Sequence, residues 1–176
     1  MTEIFEAISD FMARGGEVLN LIFAVTLAMW TLILERQYYY RFVYPREAKV
    51  VLEKWTARAD RTSWGAHQIR ELMISETANH LRQSITMINT LVAICPLLGL
   101  LGTVTGMIEV FDVMAAAGNS NARAMASGVS KATIPTMAGM VASLSGLIFA
   151  NQIELLAKRR VSKLADELEI GEGAVS

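Results

Sequence analysis

Four hydroxyl side chains, Thr103, Thr133, Thr136 and Ser143, stand inside long apolar stretches that hold no carboxylate, imidazole or ammonium group. In such surroundings a hydroxyl has two uses. It can donate back to a carbonyl of its own helix, or it can line a polar route with hydroxyls from a neighbouring helix. At about 100° per residue, Thr103 shares a helical face with Asn89, Val92, Pro96, Gly99, Met107 and Val110. Thr136 shares one with Thr133, Met140, Ser143 and Leu147, and Gly139 and Gly146 lie to one side. Pro96 and Pro135 lack a backbone N–H. Each leaves a carbonyl four residues earlier, Val92 and Lys131, for a neighbouring hydroxyl to satisfy in part. Two hydroxyl-bearing faces at one depth, both bordered by glycines, favour a shared polar lining.

Ionisable groups appear at the ends of these stretches. Glu109 and Asp112 close the second stretch, Lys131 opens the third, and Glu154 ends it. Their plain structural reading is interfacial charge or a salt bridge at a helix mouth, and Lys131 can pair with Glu109, with Asp112 or with a partner. A proton route needs a titratable group partway across, and ionisable residues at membrane depth are functional suspects by default. This chain offers hydroxyls instead. If protons cross it, another polypeptide supplies the carboxylate.

The glycines say how the hydroxyls are positioned. Gly99, Gly102 and Gly106 interrupt the second stretch and Gly139 and Gly146 the third. Each costs about 1 kcal/mol relative to Ala in a helix interior. Small residues three and four apart let helix backbones approach closely, which is how helices associate where lipid removes the hydrophobic drive. The stretch from Ile94 to Val110 is therefore expected to be a packed, pore-facing membrane helix.

Of the 176 residues, 53% are hydrophobic and 19% charged, which is apolar for a soluble domain. Lys and Arg number 16 against 17 Asp and Glu, a formal charge of −1, so no field points to nucleic acid. Cys95 is the one cysteine, which forbids a disulfide within the chain. With His67 and His80 far away in sequence it makes no metal site, and no cofactor is expected.

The pattern predicts an all-α membrane protein with three transmembrane helices extended by long cytoplasmic helices, the N-terminus periplasmic and the C-terminus cytoplasmic. Residues 1–16 read as a short acidic amphipathic helix at the membrane surface, with Ile4, Phe5, Ile8, Phe11 and Met12 on its stripe and Gly15-Gly16 at its end. Its lack of a positive start speaks against a cleaved secretory signal. Residues 17–36 form the first span, since Val18 to Leu34 carry no charge. An aromatic belt with cations, Arg36 to Arg41, follows it. Residues 37–87 form a cytoplasmic helical region: Pro45 starts a helix whose face is Val51, Leu52, Trp55 and Ala59. A turn over 62–65 precedes a long helix with Ile69, Leu72, Met73, Leu81 and Ile88 on its stripe. That helix continues into the second span, 88–111. A periplasmic loop, 112–130, carries the single cation Arg123, and the third span occupies 131–154. The C-terminal cytoplasmic helix, 155–176, begins beside Lys158, Arg159 and Arg160 and stops at Gly171. Basic clusters flank the inner ends, so the positive-inside rule gives this orientation.

The run Pro96-Leu-Leu-Gly-Leu-Leu-Gly-Thr-Val-Thr-Gly-Met-Ile-Glu-Val-Phe111 and the run Ala126-Ser-Gly-Val-Ser-Lys-Ala-Thr-Ile-Pro-Thr-Met-Ala-Gly-Met-Val-Ala142 resemble the signature of the ExbB/TolQ/MotA proton-channel family, most of all its ExbB branch. The resemblance implies a multi-pass subunit of the bacterial inner membrane. It implies a homopentamer around transmembrane helices of ExbD, whose aspartate carries protons, and a motor role that energises TonB-dependent transport across the outer membrane. It matches the family's pore threonines to Thr103 and Thr136. Two departures stand out: Lys131 stands where relatives often have glutamate, and Thr105 where they often have tryptophan.

Two other classes compete. A cage that only stabilises its membrane partners explains the glycines equally well but gives the aligned hydroxyls no role; a TolQ-like subunit of the Tol system is a narrower variant of the first reading. An enzyme is disfavoured, because no nucleophile–base constellation appears. Gly99-Leu-Leu-Gly102 lies within a span, so it fails the context test for a dinucleotide fingerprint.

Overall fold

The computed structural model describes the backbone of residues 2–61, 63–117 and 122–168, and the side chains of residue 6 and of 16–61, 63–115 and 125–168. The expected stripe of Ile4, Phe5, Ile8, Phe11 and Met12, the cation Arg123 and the stop at Gly171 lie outside the described side chains. Four α-helices and one π-helical turn follow in order: α1 (Thr2–Tyr38), the π turn (Tyr39–Val43), α2 (Tyr44–Thr56), α3 (Trp64–Ala117) and α4 (Ala122–Glu167). There is no strand among the described residues. Three helical segments, Gly16–Thr56, Trp64–Ala115 and Met125–Glu167, are long and apolar enough to cross a bilayer, and most of their surface is left uncovered by the chain itself. The protein is an all-α membrane protein.

Local chemistry explains the element boundaries. Gly16 breaks the helical geometry of α1 with φ 68° and ψ −164°, a backbone that a side chain would strain. Pro45 sits in the first turn of α2, where its missing N–H costs nothing. Ser63 caps α3: its hydroxyl accepts from the Ala66 amide at 3.2 Å. No glycine or proline before Pro96 breaks α3, and the helix continues through Pro96 for 54 residues. The alanine-rich segment after Asp112 stays helical to Ala117, and α4 begins by Ala122, so most of 112–130 is helix rather than open loop.

Two readings of helical stripes need correction. α2 ends at Thr56, leaving Ala59 outside the helix and exposed. Leu72 is 65% exposed and falls off the expected stripe, whereas Leu81 and Ile88 are buried as expected, joined by Ala66 and Ile85. Short windows fix helical phase poorly. Here the phase is set by what α3 packs against.

The chain divides into two compact units, one of residues 1–31 with 89–148, the other of residues 32–88 with 149–176. In the first, the buried line of α3 is Val92, Cys95, Gly99, Gly102 and Val110, and that of α4 is Ala132, Pro135, Gly139, Ala142 and Gly146. Apart from the eight-residue step from Gly102 to Val110, with Gly106 half-buried between them, these positions alternate by three and four residues, the spacing that keeps one face toward a neighbouring helix. α1 adds Leu19, Ile22 and Met29. In the second unit Trp55, Ala66, Leu164 and Leu168 form a cluster, with Val51, Leu52, Met73 and Ile74 packed on it.

Candidate functional site

The site is the antiparallel seam between α3 and α4 in the first unit. A side chain added at its glycines would collide with the opposite helix. A Cβ on Gly99 would stand 3.0 Å from the Thr136 Cα, one on Gly102 2.3 Å from the Pro135 Cβ, and one on Gly106 2.6 Å from the Ala132 Cβ. On α4, a Cβ on Gly139 would stand 2.5 Å from the Cys95 carbonyl oxygen. One on Gly146 would meet the Met29 Sδ at 2.4 Å and the Val92 Cγ2 at 2.7 Å. Backbone meets backbone here, and the expected packing glycines are where it happens.

That closeness decides what the hydroxyls reach. Thr136 Oγ1 donates to the Gly99 carbonyl at 2.8 Å and Ser143 Oγ to the Val92 carbonyl at 3.0 Å, both across the seam. Thr103 and Thr133 donate within their own helices, to Leu100 at 2.7 Å and Ser130 at 2.9 Å. Thr136 is level with Gly99, one helical turn from Thr103. The structure therefore brings Thr136 and Ser143 onto α3, whereas Thr103 is half-exposed and Thr133 exposed. Val92 is the carbonyl that Pro96 leaves without its usual amide donor, and its hydroxyl partner comes from the neighbouring helix.

At the ends of the seam, Lys131 Nζ lies 3.2 Å from Glu109 Oε2, with side-chain exposures of 44% and 65%. Of the pairings open to Lys131 from sequence, the one with Glu109 is formed. Asp112 is exposed and has no ion-pair partner among the described residues. Glu154 pairs with Lys158 at 2.8 Å along α4. Cys95 is fully buried. No group of three His, Cys, Asp or Glu side chains among the described residues is placed to hold a metal ion.

Sequence reasoning missed a set of donors in the second unit. Tyr40 Oη donates to the Leu81 carbonyl at 2.8 Å and Tyr44 Oη to the Arg160 carbonyl at 3.0 Å. Arg70 donates to the carbonyls of Leu168 at 2.7 Å and Ala165 at 2.6 Å, closing the end of α4. Arg36 is 5% exposed, donates to the His80 carbonyl, and stacks over the rings of Tyr39 and Tyr40 at 4.7 and 5.3 Å. The available signal was an aromatic run beside cations, which reads equally well as a membrane-interface belt.

Residues 45–166 match the MotA/TolQ/ExbB proton channel family. Among curated proteins, the chain is 32% identical over 84 residues to putative biopolymer transport protein ExbB-like 3 of Synechocystis sp., covering 47% of this chain and 40% of that protein. It is 36% identical over 96 residues to putative biopolymer transport protein ExbB-like 1 of the same organism, covering 51% and 38%. It is 32% identical over 98 residues to biopolymer transport protein exbB1 of Vibrio cholerae, covering 55% and 43%. These matches span about two-fifths of each relative's own length. The family match takes in both helices of the glycine seam with the four hydroxyls on it, and by that match the chain belongs to the MotA/TolQ/ExbB proton channel family.

Proposed function

We propose that this chain is the channel subunit of a proton-driven complex in the bacterial inner membrane, with its N-terminus periplasmic and its C-terminus cytoplasmic. It acts without enzymatic chemistry, as an oligomer, pentameric by family resemblance. It surrounds transmembrane helices of an ExbD-type partner and couples proton flow to TonB-dependent transport. One charge crossing 100 mV releases about 2.3 kcal/mol, enough to bias a rearrangement of helices when repeated.

The observation that carries this reading is the chemistry of the seam. From Asn89 to Ile108 and from Ala132 to Ile153 there is no titratable side chain beyond Cys95, the polar groups being hydroxyls and the amides of Asn89, Asn151 and Gln152, so the proton-carrying acid comes from the partner. Thr103 and Thr133 make no hydrogen bond across the seam, Thr103 half-exposed and Thr133 exposed, and Thr136 stands one turn from Thr103. The uncovered surface of the three spans supports an assembly with other helices and with lipid.

One observation favours a second reading, a non-conducting scaffold: all four hydroxyls already have carbonyl partners within the chain. Substitution separates the two. Thr136→Val should abolish TonB-dependent growth on a siderophore while the complex still assembles, and Thr136→Ser should retain growth. Normal growth of the valine variant would remove Thr136 from the mechanism.

A further inference from the structure

Pro96 lies within α3, and the helix nevertheless continues through it. A proline in a helix interior removes one hydrogen bond, and its ring crowds the carbonyl four residues back, which bends or breaks the helix unless something re-satisfies that carbonyl. Here the carbonyl is that of Val92, and its partner is the Ser143 hydroxyl of α4 at 3.0 Å. Ser143 has a one-carbon side chain, so it reaches the α3 backbone only if the helices nearly touch. Gly139 and Gly146, one turn to either side of it, permit this: a Cβ on the first would strike the Cys95 carbonyl oxygen and one on the second the Val92 side chain.

We propose that Ser143 is the latch of a proline hinge in α3: α4 supplies from a side chain the donor that α3 lacks in its own backbone, and so holds α3 continuous at Pro96. The other cross-seam bond is different in kind. Thr136 donates to Gly99, a carbonyl that still faces the backbone N–H of residue 103, so it adds a second donor where Ser143 replaces a missing one. A side-chain donor can let go and re-form without unwinding α4, so the seam holds a point where α3 bends under the control of its neighbour. This property belongs to the α3–α4 pair and does not depend on what crosses the membrane.

The test is a double-mutant cycle read by amide hydrogen exchange on the full chain in lipid nanodiscs. Ser143→Ala should speed exchange across residues 97–103 by about tenfold, the size expected for one such bond. In a Pro96→Ala background, where residue 96 regains its N–H, the same substitution should change exchange there by less than about twofold. Equal acceleration in both backgrounds, or none in either, would overturn the proposal. Should Ser143→Ala fail to fold, Pro96→Ala should restore folding; failure of the double variant as well would also overturn it.

Discussion

The two units of this protein join their helices by opposite means. In the unit of residues 1–31 and 89–148, α3 and α4 meet on Gly, Ala and Pro, so closely that a methyl group on Gly102 or Gly139 has no room. In the unit of residues 32–88 and 149–176, the contacts are large: Trp55 clusters with Leu164 and Leu168, and Tyr40 and Tyr44 are also buried in this unit. On the proposed topology, with the first unit in the bilayer and the second outside it, the difference follows from the surroundings. Against lipid tails, a buried leucine gains little from leaving its solvent, so helices associate by close backbone packing and short polar bonds. Against water, buried apolar area stabilises at about 25 cal/mol per Å², and large side chains are the efficient choice. Both units send side-chain donors to helix carbonyls. The apolar unit uses Thr136 and Ser143, which reach only because the backbones touch. The other uses the longer side chains of Tyr and Arg.

Substitutions that attack each kind of joint should separate them. The largest effect belongs to Trp55→Ala. It empties the centre of the cluster around Leu164 and Leu168 and should cost about 3–5 kcal/mol in chemical denaturation of the purified protein. A loss under about 1 kcal/mol would show that this unit is not held by its apolar cluster. Next comes Gly139→Ala. The added methyl meets a backbone carbonyl oxygen that cannot swing aside, so a loss of about 1–3 kcal/mol is expected from overpacking, outweighing the helix propensity gained. Gly65→Ala is its control. Among the described residues, the added methyl there finds only the Ser63 hydroxyl at 3.7 Å, and stability should stay level or rise by up to about 1 kcal/mol. Like responses at the two glycines would remove the distinction between the joints. The smallest loss is expected of Tyr40→Phe, which deletes the bond to Leu81 and keeps the ring. About 1 kcal/mol should be lost, visible as a lower thermal midpoint.

How far the sequence discloses this architecture differs between the same two regions. In the apolar unit, glycines three and four apart state the packing face directly, and a run without glycine or proline before Pro96 states that α3 is one helix. Helical phase also puts Thr136 and Ser143 on one face. It does not say which backbone they touch, because that depends on an interhelical distance no single helix encodes. The carbonyl orphaned by Pro96 is legible from the proline alone; its donor, fifty-one residues after that carbonyl, is not. In the other unit the loss is greater. Arg36 and the tyrosines from 38 to 40 read as an interfacial belt, and nothing local shows that a π turn at Tyr39–Val43 swings Tyr40 into the interior. Lys131 is intermediate. Its charge and its candidates, Glu109 and Asp112, are plain from sequence, and packing chooses between them.

The proposed lining supplies hydroxyls and borrows its acid, and proton flux tests that directly. The chain should be reconstituted in liposomes with an ExbD-type partner, and the decay of an imposed pH gradient followed by an internal dye. The gradient should collapse with the intact pair and persist when the partner's membrane aspartate is replaced by asparagine or when this chain is present alone. Collapse at an undiminished rate without the partner's carboxylate would contradict the account.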